Sequence, residues 1–318
     1  MADLLAQVEA GLQRAWEGDA EFVRRAAREA LSGRGKRLRP SLLLLSAECS
    51  GGANQRSVAV AGVVEIVHTA SLIHDDVVDE SQSRRGRRSA RAVWGSKLSV
   101  LLGDYLIARA FHLLPEQDHR ELSTELAEVA RRMCEGQIRE LRNAWRQSDE
   151  AEYLEIVGAK TGSLFAFCGS AGARTAGASA EAAAALARFG DHFGTAFQLA
   201  DDILDFVGTD GRSGKPAGRD FLEGKLTLPL ILMAERGGAE ARAYLMRVTA
   251  ARAASLDELE AVREMARATG AVEHAWRRFE ACLAEARKQL APLPDTPARQ
   301  ALLDLAGEHF PLPVMASA

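Results

Sequence analysis

Apolar residues return at three- and four-residue spacing along most of the chain, and alanine, leucine, glutamate and arginine dominate between them. That spacing fits an α-helical turn of about 3.6 residues. The dominant residues are also good helix formers, and the valine-rich alternating runs that would build a sheet are few. The pattern predicts an all-α fold, with helices near 2–17, 19–31, 37–50, 54–80, 90–114, 118–146, 149–174, 178–207, 219–236, 239–252, 255–269, 271–290 and 296–308. Gly, Pro and Ser clusters mark the breaks, among them SGG at 50–52, RRGRR at 84–88 and GTDGRSGKPAG at 208–218. None is long enough for an interdomain linker, so a single domain over 1–318 is expected. The small-residue run from 158 to 187 either lets helices approach closely or turns in part at TAGASA.

A hydrophobic content of 47% and a charged content of 26% are those of a globular protein. The formal charge of −4 gives no general attraction to nucleic acid or to an anionic membrane, so a polyanionic ligand must meet local clusters of Lys and Arg. Cys49, Cys134, Cys168 and Cys282 lack metal-ligand spacing and read as buried, reduced thiols. The first residues are amphipathic and acidic, unlike a secretory signal, and no run approaches the roughly 20 apolar residues of a membrane span. A cytoplasmic protein with no transmembrane segment is the expectation.

Two acidic triplets stand out against this background. In SLIHDDVVDE a helix places Asp75 and Asp79 at i and i+4, and Asp76 and Asp79 at i and i+3, so that all three carboxylates share one face and repel. QLADDILDFVG repeats the spacing with Asp201, Asp202 and Asp205. Oxygen-only clusters of this kind suit hard cations, and Mg²⁺ in particular is held by a few carboxylates plus substrate phosphates. His68 and Ser71 continue the Asp75 stripe toward the helix start. His74 faces about a quarter-turn away and reads as a packing histidine.

Cations accompany the triplets. GRGKRLRP offers Lys36, Arg37 and Arg39 where a helix begins, a position already suited to anions. Arg84 and Arg85 follow the first triplet by one loop, and Lys160, Thr161, Lys215 and Lys225 lie in AKTG and GKPAGRDFLEGKLTLP. Other phosphate-binding readings fail: there is no G-x-x-x-x-G-K-[ST], and the G-x-G at Gly33 follows no strand.

Taken together, GKRLRP, HTASLIHDDVVD with its following RRG, VWGSKLSVLLGDYL, KTGSLF, FGTAFQLADDILDF and GKPAGRDFLEGKLTLPLI resemble, in order from about 33 to 233, the trans-isoprenyl diphosphate synthases of the polyprenyl synthetase family. The resemblance implies a helical bundle with a deep central cavity and a homodimer. It also implies head-to-tail condensation of isopentenyl diphosphate with an allylic diphosphate, assisted by Mg²⁺ at three ions per site. Carried over by motif, Asp75, Asp76, Asp79, Asp201, Asp202 and Asp205 would hold the metal. Arg84, Lys160, Thr161, Gln198, Lys215 and Lys225 would contact the allylic diphosphate. Lys36, Arg39, His68 and Arg85, with Gly35 allowing close approach, would bind isopentenyl diphosphate.

Small residues at Ala70 and Ser71, below the first triplet, leave room for a product of geranylgeranyl length or longer, with Phe111 a candidate floor. The chain departs from the family pattern at Arg34, where a second glycine is usual, and at Arg88, where proline is usual. A further departure is Gly136-Gln137-x-x-Glu140, which transposes the usual Glu and Gln. The end HFPLPVMASA lacks a basic tail. A class I terpene cyclase would show Asn or Asp, Ser or Thr, and Glu in the second motif, where this chain has a second D-D-x-x-D, and a non-catalytic partner subunit would not need both triplets.

Overall fold

The computed structural model describes residues 1–32, 35–84, 86–114, 120–208 and 217–308, and it is helical almost throughout. The chain divides into two compact units, each made of segments distant in sequence. Of the described residues, the first takes those within 1–130, 164–190 and 292–302, and the second those within 131–163, 191–291 and 303–308.

In the first unit α1 (Ala2–Arg14), α2 (Glu21–Leu31), α3 (Leu38–Cys49), α4 (Gln55–Val78) and α5 (Ala90–Leu113) follow one another, joined by the start of α6 (Arg120–Asn143). α8 (Ser163–Thr175), the first part of α9 (Ala180–Val207) and the start of α15 (Pro297–Glu308) complete it. α4 is the core helix: Val60, Ala61, Val64 and Ala70 are fully buried. It is also the one helix among the described residues long and apolar enough to cross a membrane, but 72% of its apolar window is buried inside the protein. Its start is fixed by a capping box. The Asn54 side chain accepts from the Arg56 and Ser57 amides, and its Nδ2 donates to the Thr175 carbonyl at 2.8 Å.

Both options for the small-residue run are realised. The chain leaves the helix after Thr175 and resumes it at Ala180, and on either side a Cβ at Gly169, Gly172 or Gly190 would collide with the backbone of Leu186, Leu43 or Phe165. Glycine there sets the helix spacing, and Phe165, Phe167 and Phe189 fill the space around it.

In the second unit the remainder of α6 precedes α7 (Glu150–Val157), which passes through a π-helical turn (Gly158–Gly162) toward α8. The end of α9 is followed by α10 (Arg219–Leu222), α11 (Leu228–Arg236), α12 (Gly238–Ala251), α13 (Leu256–Ala268) and α14 (Ala271–Gln289). The helix expected over 219–236 is two helices, because Gly224 takes φ +83° against the Trp145 ring and Pro229 opens the next helix. Phe193, Ile203, Phe206, Phe221 and Phe279 are buried in this core.

The expectation of four buried thiols holds for Cys49 and Cys168; Cys134 is exposed on α6 and Cys282 is half-buried, and all four are free.

Candidate active site

The candidate residues fall in both units, and each set is described within its own. Lys215 and Arg85 lie outside the described residues.

In the first unit α4 ends at Val78, one residue short of the last aspartate of its triplet. Asp79 caps the helix, its amide bonded to the Asp75 carbonyl at 2.8 Å, and Glu80 takes φ +49°. The chain then doubles back through a short antiparallel ladder, β1 (Ser83–Arg84) with β2 (Arg87–Arg88), around Gly86 at φ +75°. No alternating apolar pattern announces this ladder. Its consequence is local: it returns Arg84 to the end of α4, where its Nε donates to Asp76 Oδ1 at 2.7 Å.

The three carboxylates therefore do not share one environment. Asp75 and Asp79 are half-buried, while Asp76 is 3% exposed and paired with Arg84. Its inward turn relieves part of the repulsion that the helical spacing implied.

Arg37, at the start of α3, takes φ +48° and is tied by its guanidinium to Glu65, to Glu9 at 2.6 Å and to the Leu31 carbonyl at 2.7 Å. Gly35 and Arg39 beside it are half-buried and Lys36 is exposed. Arg39 lies 3.1 Å from His68 Nε2, and its Cζ sits over the Phe165 ring, 4.4 Å from the centroid, in a cation–π contact. Two of the residues assigned to isopentenyl diphosphate are thus neighbours. His74 packs closely on Gly103 of α5, and its Nε2 lies 3.3 Å from the Val100 carbonyl and 3.3 Å from Asp104 Oδ1.

A cavity of about 690 Å³ also lies in this unit, lined by α1, by Val58, Ala59, Gly62 and Ile66 of α4, and by Arg109 and Leu113 of α5. At about 100° per helical residue these α4 positions are roughly opposite His68, Ser71 and Asp75. The cavity therefore does not continue the aspartate face. Phe111 is half-buried, Ala70 is fully buried, and Ser71 donates to the His68 carbonyl at 2.8 Å.

In the second unit a cavity of about 170 Å³ gathers four of the sequence candidates from distant segments: Lys160, Gln198, Asp202 and Lys225. Lys160 and Thr161 sit in the π-helical turn, whose extra residue distinguishes it from an ordinary turn; such bulges are frequent at functional sites. α6 approaches it closely, since a Cβ on Gly136 would meet the Lys160 backbone nitrogen at 2.8 Å. Lys160 Nζ bonds Glu140 at 2.7 Å, and Thr161 Oγ1 donates to Gln198 Oε1 at 3.1 Å. The transposed Gly136-Gln137-x-x-Glu140 is thereby placed: Glu140 pairs with the lysine, and Gln137 Oε1 is buried without a partner.

The second triplet repeats the division of the first. Asp201 is exposed and Asp205 half-buried, whereas Asp202 is 6% exposed and accepts from Tyr153 at 2.6 Å and from Gln198 at 2.7 Å. Arg263 ties down the end of α9 through the Phe206 and Gly208 carbonyls at 2.6 and 3.1 Å. The Asp220 amide donates to Asp205 Oδ2 at 3.1 Å, and Lys225 lies 3.8 Å from Asp220 and 3.1 Å from Glu223.

Burial raises Asp202 well above the carboxylate range, and the charge of Asp220 adds to it. Burial likewise raises Asp205, and burial with the charge of Asp205 pushes Asp220 up to about 7. A concentration of carboxylates that resist ionisation calls for a cation.

Tyr153, Glu140 and Asp220 belong to this set and were not among the sequence candidates. Glu140 carried a signal in its transposed motif and Asp220 in its proximity to Lys225, while Tyr153 carried none. Among the described residues no three His, Cys, Asp or Glu side chains are already arranged as a metal site. The donors of both triplets are carboxylate oxygens with no thiol among them, a set that fits a hard divalent cation sharing its remaining positions with phosphate oxygens.

An all-α bundle with an aspartate triplet near the end of each of two long helices defines an isoprenoid synthase. The chain belongs to the polyprenyl synthetase family, whose model matches residues 20–266. It is 35% identical to octaprenyl diphosphate synthase of Escherichia coli over 95% of this chain and 94% of that one. It is 40% identical to the all-trans-nonaprenyl-diphosphate synthase (geranyl-diphosphate specific) of Rhodobacter capsulatus over 85% and 83% of the two chains. A solved polyprenyl synthase of Caulobacter crescentus, complexed with calcium and isoprenyl diphosphate, superposes with a TM-score of 0.90 at 37% identity, over 96% of this chain and 93% of that one. The protein is a prenyltransferase that makes a trans-polyprenyl diphosphate of medium to long chain.

Proposed function

We propose that the whole chain, 1–318, acts as one isoprenoid synthase domain in which both triplets serve a single reaction. Asp75, Asp76, Asp79, Asp201, Asp202 and Asp205 hold Mg²⁺, three ions per site, against the diphosphate of the allylic substrate. Arg84, Lys160, Thr161, Gln198, Lys215 and Lys225 contact that diphosphate, and Gly35, Lys36, Arg39, His68 and Arg85 take isopentenyl diphosphate. The observation that carries this reading is the small cavity on which Lys160, Gln198, Asp202 and Lys225 converge from three separate segments. The metal-bound relative supports the choice of a divalent cation.

Magnesium, when bound, supplies positive charge to a leaving diphosphate. The protein's own cations do the same. Lys160 and Lys225 lie where negative charge grows as the allylic C1–O bond breaks and its electron pair departs with the diphosphate. Arg39 and His68 hold the isopentenyl diphosphate so that its double bond adds to C1, and the proton released passes to the departed diphosphate.

Val93, Leu98, Val100 and Leu101, exposed along α5 on the two sides of a break at Gly95, support a homodimer, here taken to work in the cytoplasm, since exposed apolar residues gather at association surfaces. The test is Lys225→Met beside Lys36→Met. The first is expected to lower kcat by about 10²-fold or more, and the second chiefly to raise KM for isopentenyl diphosphate. Near-wild-type kinetics in both would sink the assignment.

A further inference from the structure

Asp202 is the most confined carboxylate of the second triplet, and three elements converge to hold it. From α7, the Tyr153 hydroxyl donates to Oδ2 at 2.6 Å. From one turn earlier on α9, Gln198 Nε2 donates to Oδ1 at 2.7 Å. From the π-helical turn, Thr161 Oγ1 donates to Gln198 Oε1 at 3.1 Å. The string has one polarity. With a cation bound the carboxylate is ionised and only accepts, so the amide nitrogen must face Asp202 and the amide oxygen accepts from the Thr161 hydroxyl.

Tyr153 is 7% exposed and Thr161 6%, so neither hydroxyl is readily replaced by solvent. Each carboxylate oxygen keeps a second lone pair beyond the one these bonds use. Asp202 lines the small cavity together with Tyr153 and Gln198.

We propose that Tyr153 is a positioning residue that fixes the direction in which Asp202 presents its free lone pairs to a divalent cation, with Gln198 and Thr161 completing the hold from the other side. This rests on reading Asp202 as a metal ligand. A tyrosine suits the task because its hydroxyl sits at the end of a stiff, buried ring with two torsions, so one short charge-assisted bond sets both distance and direction. Partners that orient metal ligands in this way typically alter metal affinity by about 10–100-fold when removed.

The experiment is Tyr153→Phe, which keeps the ring and deletes the hydroxyl. Three quantities are measured: the Mg²⁺ concentration for half-maximal activity, the thermal shift produced by Mg²⁺ with inorganic pyrophosphate, and KM for isopentenyl diphosphate. The expected result is a Mg²⁺ requirement raised about 10–100-fold. The thermal shift should need correspondingly more metal, while KM for isopentenyl diphosphate stays unchanged. A merely structural role would lower the melting temperature equally with and without metal and leave the Mg²⁺ dependence where it was, and that outcome overturns the proposal.

Gln198→Leu removes the other hold and is expected to move the same two readouts, which keeps the device testable if the phenylalanine variant does not fold. Asp202→Asn separates the two levels of inference. If it leaves the Mg²⁺ dependence unmoved, the reading of Asp202 as a ligand fails. If it moves that dependence and Tyr153→Phe does not, only the role of Tyr153 fails.

Discussion

Asp220→Asn should make the protein more stable at pH 8 without added metal, and the gain should fade in acid. The folded chain holds Asp220 at a pKa of about 7, against 3.8 for an unperturbed aspartate, because of burial first and the Asp205 charge second. The sign is that of a raised acid. Between those two values the folded state binds the proton that the unfolded state has released, so stability falls as the pH rises through that window. At about 1.36 kcal/mol per unit the ionised carboxylate costs the fold up to about 4 kcal/mol above pH 7, and less than half of that at pH 5. The side chain is 28% exposed and Lys225 stands 3.8 Å away, so solvent and a partner return part of the cost; a net gain of about 2 kcal/mol for the amide is the working figure. For a chain of this length that is a rise of several degrees in melting temperature. Scanning calorimetry of both proteins in chelator at pH 8 and pH 5 measures it. An equal difference at both pH values, or a less stable variant at pH 8, would refute the claim that an ionised Asp220, buried and beside Asp205, strains the fold.

Gly136→Ala places a Cβ against the backbone of Lys160, which cannot yield without moving the π-helical turn; a loss of about 1–3 kcal/mol in stability and a fall in kcat are expected from thermal melts and steady-state kinetics. Asn54→Ala removes the cap of α4 and its bond to Thr175, and urea unfolding should show a loss of about 1–2 kcal/mol with catalysis otherwise intact. Leu101→Glu charges the most exposed apolar residue of α5, and on the homodimer proposed above sedimentation should show a shift from dimer to monomer. Ser71→Phe, one turn below Asp75, should shorten the product toward farnesyl diphosphate in chromatography of the reaction mixture, and an unchanged product would place the length control elsewhere.

The helices were legible because each buries a stripe, and a stripe leaves a period in the sequence. The break inside 219–236 was missed for the converse reason: Gly224 and Pro229 interrupt a segment whose apolar residues continue through the interruption, and it takes the Trp145 ring to make the turn necessary. The ladder of Ser83–Arg84 with Arg87–Arg88 buries nothing and so carries no period at all. The sequence candidates Lys160, Gln198, Asp202 and Lys225 were found by their charge or by motif, and the fold brings them to one cavity. Tyr153 escaped because one buried tyrosine on an amphipathic helix looks like any other core residue until its hydroxyl is seen to end on Asp202.

What spacing alone did not show was the setting of the middle aspartate. Three carboxylates on one helical face would repel whatever the cation did between turnovers, and a helix that had to bear this would fray. Both triplets avoid it in the same way. The first and last members, one turn apart, remain at least partly open to solvent, while the second turns inward and takes a fixed donor: Arg84 for Asp76, Tyr153 and Gln198 for Asp202. The donors differ in charge, and a consequence follows. Arg84 gives Asp76 a charged donor, so Arg84→Met takes a guanidinium away from a buried carboxylate and should destabilise the fold by about 3–5 kcal/mol. Tyr153→Phe removes a neutral donor while Gln198 remains, and should cost the fold only about 1–3 kcal/mol. Urea unfolding of the two variants side by side, in chelator, tests this: an equal loss, or a larger one for Tyr153→Phe, would mean that the inward aspartates are not held by their donors in the way the geometry implies.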